Sequence, residues 1–470
     1  MRKKINHLGS ALISFVLLVS TPSSAATLKP PIIEKLSNGL EIAWFEDARF
    51  PLIDLGLYID SGSVDDPKGK SGTAELMSSS LFRGAAGLSM EALARSSERL
   101  GASRYSSASD ESMAIGFHGL AKNAPELLSL LAKVALQPDF PETEVQEQKA
   151  RLADRWGHIG DYADTLAGLA FSRRLTAETP YGRGSFTSMA EFQKITRNDV
   201  SAFHQKYFRP ENAILLISGR TDREKLRKLI DEALGEKAWP GVANETKVKR
   251  PNYSEPRLAK LRERILIIHR PQLTQASIRI GFRGPLVTSP DHYPTMVLNA
   301  LLGEHFHSRL NSLLRDKLGL TYSVGSSFSF ERELGVFSIA SSTRNQTGAQ
   351  LITKTLQVLQ ELKSGAISEA EVETAKEYLV GSFSISSASP ASAVSRWLMG
   401  RIHGLGPEYL NEYIPRIRAV THAEVIEAAR KHLDPDHAVI TAAGDASLLE
   451  PDLRALKIAP LRRIGLKDIL

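Results

Sequence analysis

Thr196-Arg-Asn-Asp-Val-Ser-Ala-Phe-His-Gln-Lys-Tyr-Phe-Arg-Pro-Glu-Asn-Ala-Ile-Leu-Leu-Ile-Ser-Gly219 has a counterpart later in the chain, Thr421-His-Ala-Glu-Val-Ile-Glu-Ala-Ala-Arg-Lys-His-Leu-Asp-Pro-Asp-His-Ala-Val-Ile-Thr-Ala-Ala-Gly444, at a constant offset of 225. Each reads as a capped helix, a proline turn and a buried strand. Thr196 with Asp199, and Thr421 with Glu424, have the spacing of a capping box. Further out, Gly101 and its strand match Gly319 and its strand at an offset of 218. Glu144-Val with Lys149 matches Glu371-Val with Lys376 at 227. Nearly constant offsets over such distances mean one α+β domain present twice.

The first copy spans residues 31–237, the second 264–451, with a linker at 238–263 and a tail at 452–470. Asn38-Gly39 marks a tight hairpin near the start. The linker follows from a Pro-, Lys- and Glu-rich run without periodicity. Residues 1–26 read as a secretory signal: Arg2-Lys3-Lys4, an apolar run from Ala11 to Val19, then Ser23-Ser24-Ala25-Ala26. The apolar run is too short to span a bilayer, and no later stretch is long and apolar enough to do so. A periplasmic location is therefore expected. The sequence has no cysteine, which excludes disulfides and thiol chemistry. Its net charge of +6 falls to +3 once the three basic leader residues leave, which argues against a nucleic-acid partner. The basic run Leu461–Lys467 reads as a solvated end.

Ser71-Gly-Thr-Ala-Glu75-Leu-Met-Ser78-Ser79-Ser-Leu-Phe-Arg-Gly84 follows a strand-like run, Leu52–Ile59. As a helix it sets Glu75, Ser78 and Ser79 on one face. It resembles the zinc-site helix of the insulinase/pitrilysin family of peptidases, G-x-A-H-x-x-E-H-x-L-F-x-G. Gly72, Ala74, Leu81, Phe82 and Gly84 match, whereas the first His, the Glu and the second His are Glu75, Ser78 and Ser79. The family's third zinc ligand is a Glu on a later helix, and its position here, within Phe140–Trp156, is Arg155, with Gln148 at the supporting acid. A catalytic zinc needs three protein ligands and an open place for water. Glu75 offers one oxygen and the two serines are poor ligands, so no metal is expected on this chain. The three residues are read as a polar, solvated helix face. A serine nucleophile would need a base and an oxyanion hole that nothing nearby supplies.

The second copy carries Leu302-Gly-Glu-His-Phe-His-Ser308-Arg-Leu-Asn-Ser-Leu-Leu-Arg315-Asp-Lys-Leu-Gly319-Leu-Thr-Tyr322-Ser-Val324. It is similar to the family's L-G-x-x-x-x-S-R-L-x-x-x-L-R-x-x-x-G-L-x-Y-S-V. Ser308–Lys317 is read as a helix, Gly319 as its left-handed stop, and Leu320–Phe330 as a strand with Tyr322 early on it. The resemblance implies that Arg315 and Tyr322 bind the substrate carbonyl and its oxyanion across a chamber. On their own they would be a helix-terminal cation and a strand aromatic. In Leu100–Ser107 the family's peptide-binding edge strand has Tyr105-Ser106 in place of Asn-Ala. His432 to His437 looks like a metal cluster, but its counterpart in the first copy is a plain turn. His305 and His307, two residues apart, would share a face only on a strand.

The resemblance covers almost the whole mature chain, in the branch of mitochondrial-processing-peptidase-like members. It implies an α+β clamshell half built of two homologous domains, each a mixed, mainly antiparallel sheet with helices packed on it. It further implies a homologous partner carrying intact H-x-x-E-H and its Zn²⁺, a heterodimer, and a peptide substrate. On this reading the chain is the zinc-less subunit of a periplasmic metallopeptidase. The alternatives are a stand-alone peptide-binding or assembly protein and, third, a hydrolase with a non-zinc mechanism.

Overall fold

The structure is a computed structural model describing residues 30–182, 188–241, 263–387, 389–406 and 408–469. The expected leader and most of the expected linker lie outside the described residues. The first copy runs β1 (Ile32–Lys35), β2 (Glu41–Glu46), β3 (Leu52–Ile59), α1 (Thr73–Ser80), β4 (Gly84–Ala85), β5 (Leu88–Ser89), α2 (Met90–Arg99), β6 (Ser103–Ala108), β7 (Met113–Leu120), α3 (Ala124–Leu136), α4 (Glu142–Gly157), α5 (Ala163–Thr176), α6 (Met189–Phe192), α7 (Arg197–Tyr207), β8 (Ala213–Gly219) and α8 (Arg223–Leu234). The second runs β9 (Ile265–His269), β10 (Gln275–Gly284), α9 (His292–Asn299), a π-helical stretch (Asn311–Lys317), β11 (Val324–Phe330), β12 (Gly335–Arg344), α10 (Gly348–Lys363), α11 (Glu369–Ser386), α12 (Pro390–Ile402), α13 (Tyr409–Ala419), α14 (His422–His432), β13 (Val439–Gly444), α15 (Ala446–Ala455) and β14 (Leu461–Ile464).

Each copy builds one six-stranded sheet, ordered β1-β2-β8-β3-β7-β6 and β11-β12-β10-β13-β9-β14. Read from the β6 and β11 edges inward, the two orders correspond strand for strand. Most pairings are antiparallel, and β2 with β8 and β9 with β13 are the matching parallel pairs. The sheets differ at the far edge. There β1 comes from the start of its copy by a hairpin, whereas β14 comes from the chain's end and runs parallel to β9. On β3, Ile53, Leu55, Leu57 and Ile59 alternate into the core beneath α1, α3 and α7, and Asp54, Gly56 and Tyr58 point to the other face.

That other face is covered by a helix from the opposite copy. Helix α5 packs Leu166, Ala167 and Ala170 against Leu266, Ile268 and Ala443 of the second sheet. Helix α12 packs Trp397 against Ala43 of the first, with Phe45, Ile214 and Leu216 around it. Ala163 and Pro390, where these two helices begin, stand at the same offset as Glu142 and Glu369, where α4 and α11 begin. The exchange is thus reciprocal, and each sheet has its second face packed by the other copy's helix. The β6–β7 and β11–β12 turns also meet: Arg332 pairs with Asp60, and its N–H donates to Glu111 at 3.2 Å. Burial and the neighbouring Glu111 and Asp110 push Glu331 up to about 8.

Three expected boundaries move. The segment 452–470 is no solvated tail, because β14 pairs with β9 and Ile464 and Ile469 are buried. The first copy extends past 237, since buried Trp239 donates its indole N–H to the Phe208 carbonyl. The strand expected from Leu320 begins at Val324, because Thr321 Oγ1 bonds Ser323 in a local turn that breaks the ladder.

Candidate functional site

Helix α1 starts where the loop turns back on it. Gly72 takes φ +94°, a conformation favouring glycine, and the Asp66 carboxylate accepts from the N–H groups of Gly72 (2.6 Å) and Ala74 (2.8 Å). Burial pushes Asp66 up to about 7, against the pull of those donors. Leu76, Met77 and Leu81 enter the core, which fixes the rotation of the helix.

The remaining face is not solvated as the sequence led us to expect. Ser78 is 2% exposed, and its Oγ has no hydrogen-bond partner among the described residues. Ser79 Oγ bonds back to the Leu76 carbonyl at 2.9 Å. The carboxylate of Glu75 meets the guanidinium of Arg155 on α4, far away in the chain. Packing of α1 against α4 covers this face, because α4 sends Val145 and Leu152 into the same core. Burial raises the pKa of Glu75, and Arg155 opposes the rise. Gln148, also on α4, is buried, and its Nε2 lacks a partner among the described residues.

This donor set does not fit zinc. Its single carboxylate is held by a guanidinium, its hydroxyls are poor ligands, and a fixed cation repels a second one. Among the described residues, no group of three or more His, Asp or Glu side chains could hold a metal ion. The histidines that attracted notice are engaged elsewhere: His432 Nε2 lies 2.6 Å from Asp291, and His437 Nδ1 lies 3.0 Å from Asp434.

In the second copy the stretch around Arg315 is a π-helix rather than the α-helix expected from Ser308 to Lys317. The wider turn still ends at Gly319 with φ +59°, matching Gly101 with φ +62° in the first copy. The half-buried Arg315 guanidinium lies over the Phe306 ring, 4.0 Å from its centre, and Phe306 is 58% exposed. Tyr322 stands in the turn before β11, 93% exposed. A tyrosine so open to water contributes almost nothing to folding.

Sequence reading missed a third feature, on the face of the first sheet that α12 partly covers. Tyr105, on edge strand β6, lies flat across Gly56 and Gly116. A Cβ at either glycine would come within 2.5 Å of its ring or hydroxyl. Its hydroxyl donates to Asp54 at 3.0 Å, and His118 Nδ1 is 3.6 Å from the same carboxylate. Between this group and α12 lies a cavity of about 440 Å³. The signal that could have revealed it is the glycine on β3 where β10 has an arginine.

Comparison with known proteins gives a consistent picture. Residues 46–183 match the model of the insulinase family (peptidase family M16), and residues 194–379 match that of the peptidase M16 inactive domain. An uncharacterised zinc protease of Mycobacterium bovis is 25% identical over 442 residues, covering 93% of this chain and 99% of that one. A zinc protease of Helicobacter pylori is 24% identical, covering 78% and 83%. Among solved structures, a peptidase M16 inactive domain from Pseudomonas fluorescens superposes with a TM-score of 0.79 at 26% identity, over 88% of this chain and 98% of that one. A protease from Helicobacter pylori gives 0.78 at 21% identity, over 88% and 100%, a likeness of fold.

Proposed function

The chain belongs to the insulinase family of peptidases, peptidase family M16, and from that premise we propose that it is the zinc-less subunit of a heterodimeric metallopeptidase. The partner would carry H-x-x-E-H and the zinc. This chain would supply half of the chamber and aim Arg315 and Tyr322 at the substrate carbonyl. Residues 1–26 would send it to the periplasm. The observation that carries the reading is the contrast between the two candidate sites. At α1 the metal positions are closed by Glu75 and Arg155, whereas Tyr322 is open to solvent and Arg315 rests on an exposed ring. A guanidinium and a phenol placed at the surface in this way suit a developing oxyanion supplied by another molecule.

The test uses the native chain and an H-x-x-E-H homologue from the same genome. Complex formation is confirmed by size, and turnover of an unstructured peptide is measured. Tyr322→Phe removes one hydroxyl and should lower kcat about 10²–10³-fold with KM changed less. Arg315→Ala should cost at least as much. Zinc on the partner should stay unchanged in both. Full activity from both variants would leave the chain a scaffold only. Failure of every such homologue to pair would favour the stand-alone peptide-binding alternative.

A further inference from the structure

The two copies fill the space between sheet and exchanged helix differently. On β10, Arg279 pairs across the sheet with Thr441; on β3, Gly56 pairs with Leu216. Thr441 and Leu216 are themselves counterparts at the offset that aligns β13 with β8, so Arg279 and Gly56 hold the same register. The Arg279 side chain, 16% exposed, runs under α5, and its Nη2 donates to Asp164 at 2.7 Å. It passes Gly168 of the same helix, whose missing Cβ would sit 3.8 Å from the guanidinium. The counterparts of Asp164 and Gly168 on α12, at the offset that aligns the two helix starts, are Ala391 and Ser395. Both line the 440 Å³ cavity.

The first copy therefore has neither the arginine nor its helix carboxylate. It has instead a carboxylate on the strand: Asp54, on the same face as Gly56, also lines the cavity. Among the described residues the ion-pair contact of Asp54 is His118 at 3.6 Å, and Tyr105 fixes its other oxygen. Asp47 at the rim is already held by Arg49 at 2.6 Å. The walls are apolar, formed by Leu216, Val394 and Leu398, and exposed Phe50 stands at the mouth. An apolar sleeve ending at a carboxylate matches a long aliphatic stem with a cationic tip.

We propose that this cavity is a binding pocket for the arginine side chain of a peptide. The guanidinium would reach Asp54 and the stem would lie along α12, in the place that Arg279 occupies in the second copy. A planar fork with several donors suits a carboxylate whose other contacts are one phenol and one imidazole. The inference rests on the reading above only in taking a peptide as the source of the guanidinium, and it requires no partner subunit.

The test is made on the isolated full-length chain. Three fluorescein-labelled pentapeptides, identical but for a central arginine, lysine or norleucine, are titrated by anisotropy. Nα-acetyl-arginine amide is the unlabelled competitor. The arginine peptide should bind roughly tenfold or more tighter than the norleucine peptide, as expected for a charge-assisted pair. The competitor should displace it. Asp54→Asn should abolish that preference. Ala391→Asp, which supplies the carboxylate that Asp164 provides in the second copy, should strengthen arginine binding. It lies on the exposed first turn of a helix, where an acid is tolerated. Val394→Trp should block all three peptides without lowering the melting temperature. Equal binding of the norleucine and arginine peptides, an unchanged preference in Asp54→Asn, or no binding at millimolar peptide would each overturn the pocket. Arginine selectivity with no activation of any partner would instead retain the pocket and remove the heterodimer.

Discussion

The two copies agree where backbone must be satisfied and part where side chains face outward. Lys149 donates to the carbonyls of Gln193 and Ile195 at 2.8 and 2.7 Å. Lys376 does the same to Val420 at 3.0 Å, and Val420 precedes Thr421 just as Ile195 precedes Thr196. Both capping boxes are formed, at Thr196 with Asp199 and at Thr421 with Glu424. A buried carbonyl or N–H left without a partner costs more than most side chains contribute, so these positions tolerate little change. Metal ligands are under no such constraint. With other residues at the first copy's ligand positions, Glu75 and Arg155 satisfy each other, while the second copy keeps Arg315 and Tyr322 at the surface. The carbonyl-capping side chains recur in both copies, whereas the candidate site residues belong to one copy each.

The largest expected effect tests whether the copies fold as one body. Trp397 on α12 is 4% exposed and packs edge-on against Phe45, 5.5 Å between ring centres. Phe171 on α5 is equally buried, above Gly281 of the second sheet. Either residue changed to Ala should cost about 3–5 kcal/mol. Because each helix belongs by sequence to one copy and by packing to the other, both variants should move the same single unfolding transition. Two separate transitions, with only one shifted by each variant, would show that the exchanged helices do not couple the copies.

A smaller effect separates a matched pair of ion pairs. Arg309 binds Glu371 through two hydrogen bonds, 2.6 and 2.8 Å, whereas in the first copy the arginine facing the counterpart acid Glu144 is Arg83, at 3.8 Å. The bidentate bond to Arg309 holds Glu371 down at about 2, with its capping bonds to Ser368 adding to the effect. Arg309→Ala should therefore cost about 1.5–3 kcal/mol, and Arg83→Ala less than about 1 kcal/mol. The folded pKa of Glu371 lies below its unfolded value. Its contribution is thus present above the ordinary carboxylate range and is lost as pH falls from there towards 2. Denaturant melts at pH 7 and pH 3 should show the difference between the two variants narrowing at the lower pH. A constant gap would mean that Arg309 acts through its bond to the Ala366 carbonyl instead.

The duplication, the caps and the two-sheet class were legible because they rest on local pattern: a helix start, a proline turn, a strand, repeated at one offset. The exchange of α5 and α12 was not, because a helix's apolar face does not say which sheet it will cover. The α1 positions were singled out by motif, but their burial was misread. Helical spacing placed Ser78 beside Glu75 and could not show that α4 lies over both. Tyr322 stands ahead of its strand rather than early on it, because a local hydroxyl turn outweighs a β-rich run. Asp54 and the cavity were hidden for a different reason. The informative residue there is a missing side chain, Gly56, visible only beside its counterpart Arg279 in the second copy.

The smallest effect asks whether the Glu75–Arg155 pair is held by charge. Arg155 is 64% exposed, so solvent screens the pair, and Arg155→Ala should cost roughly 0.2–1 kcal/mol at neutral pH. Burial already raises Glu75 above its ordinary range, and removing Arg155 raises it further. A carboxylate with a raised folded pKa favours the folded state most below its unfolded pKa, and that advantage fades as pH rises through the folded value. The fading is steeper without Arg155. The gap between native chain and variant should thus be smaller around pH 4 than at pH 7, because protonating Glu75 removes the charge that Arg155 faces. Urea melts across that range measure it. If the gap is as wide at pH 4 as at pH 7, Arg155 supports α1 through the packing of its aliphatic stem, and the ion pair is incidental to the closure of the site.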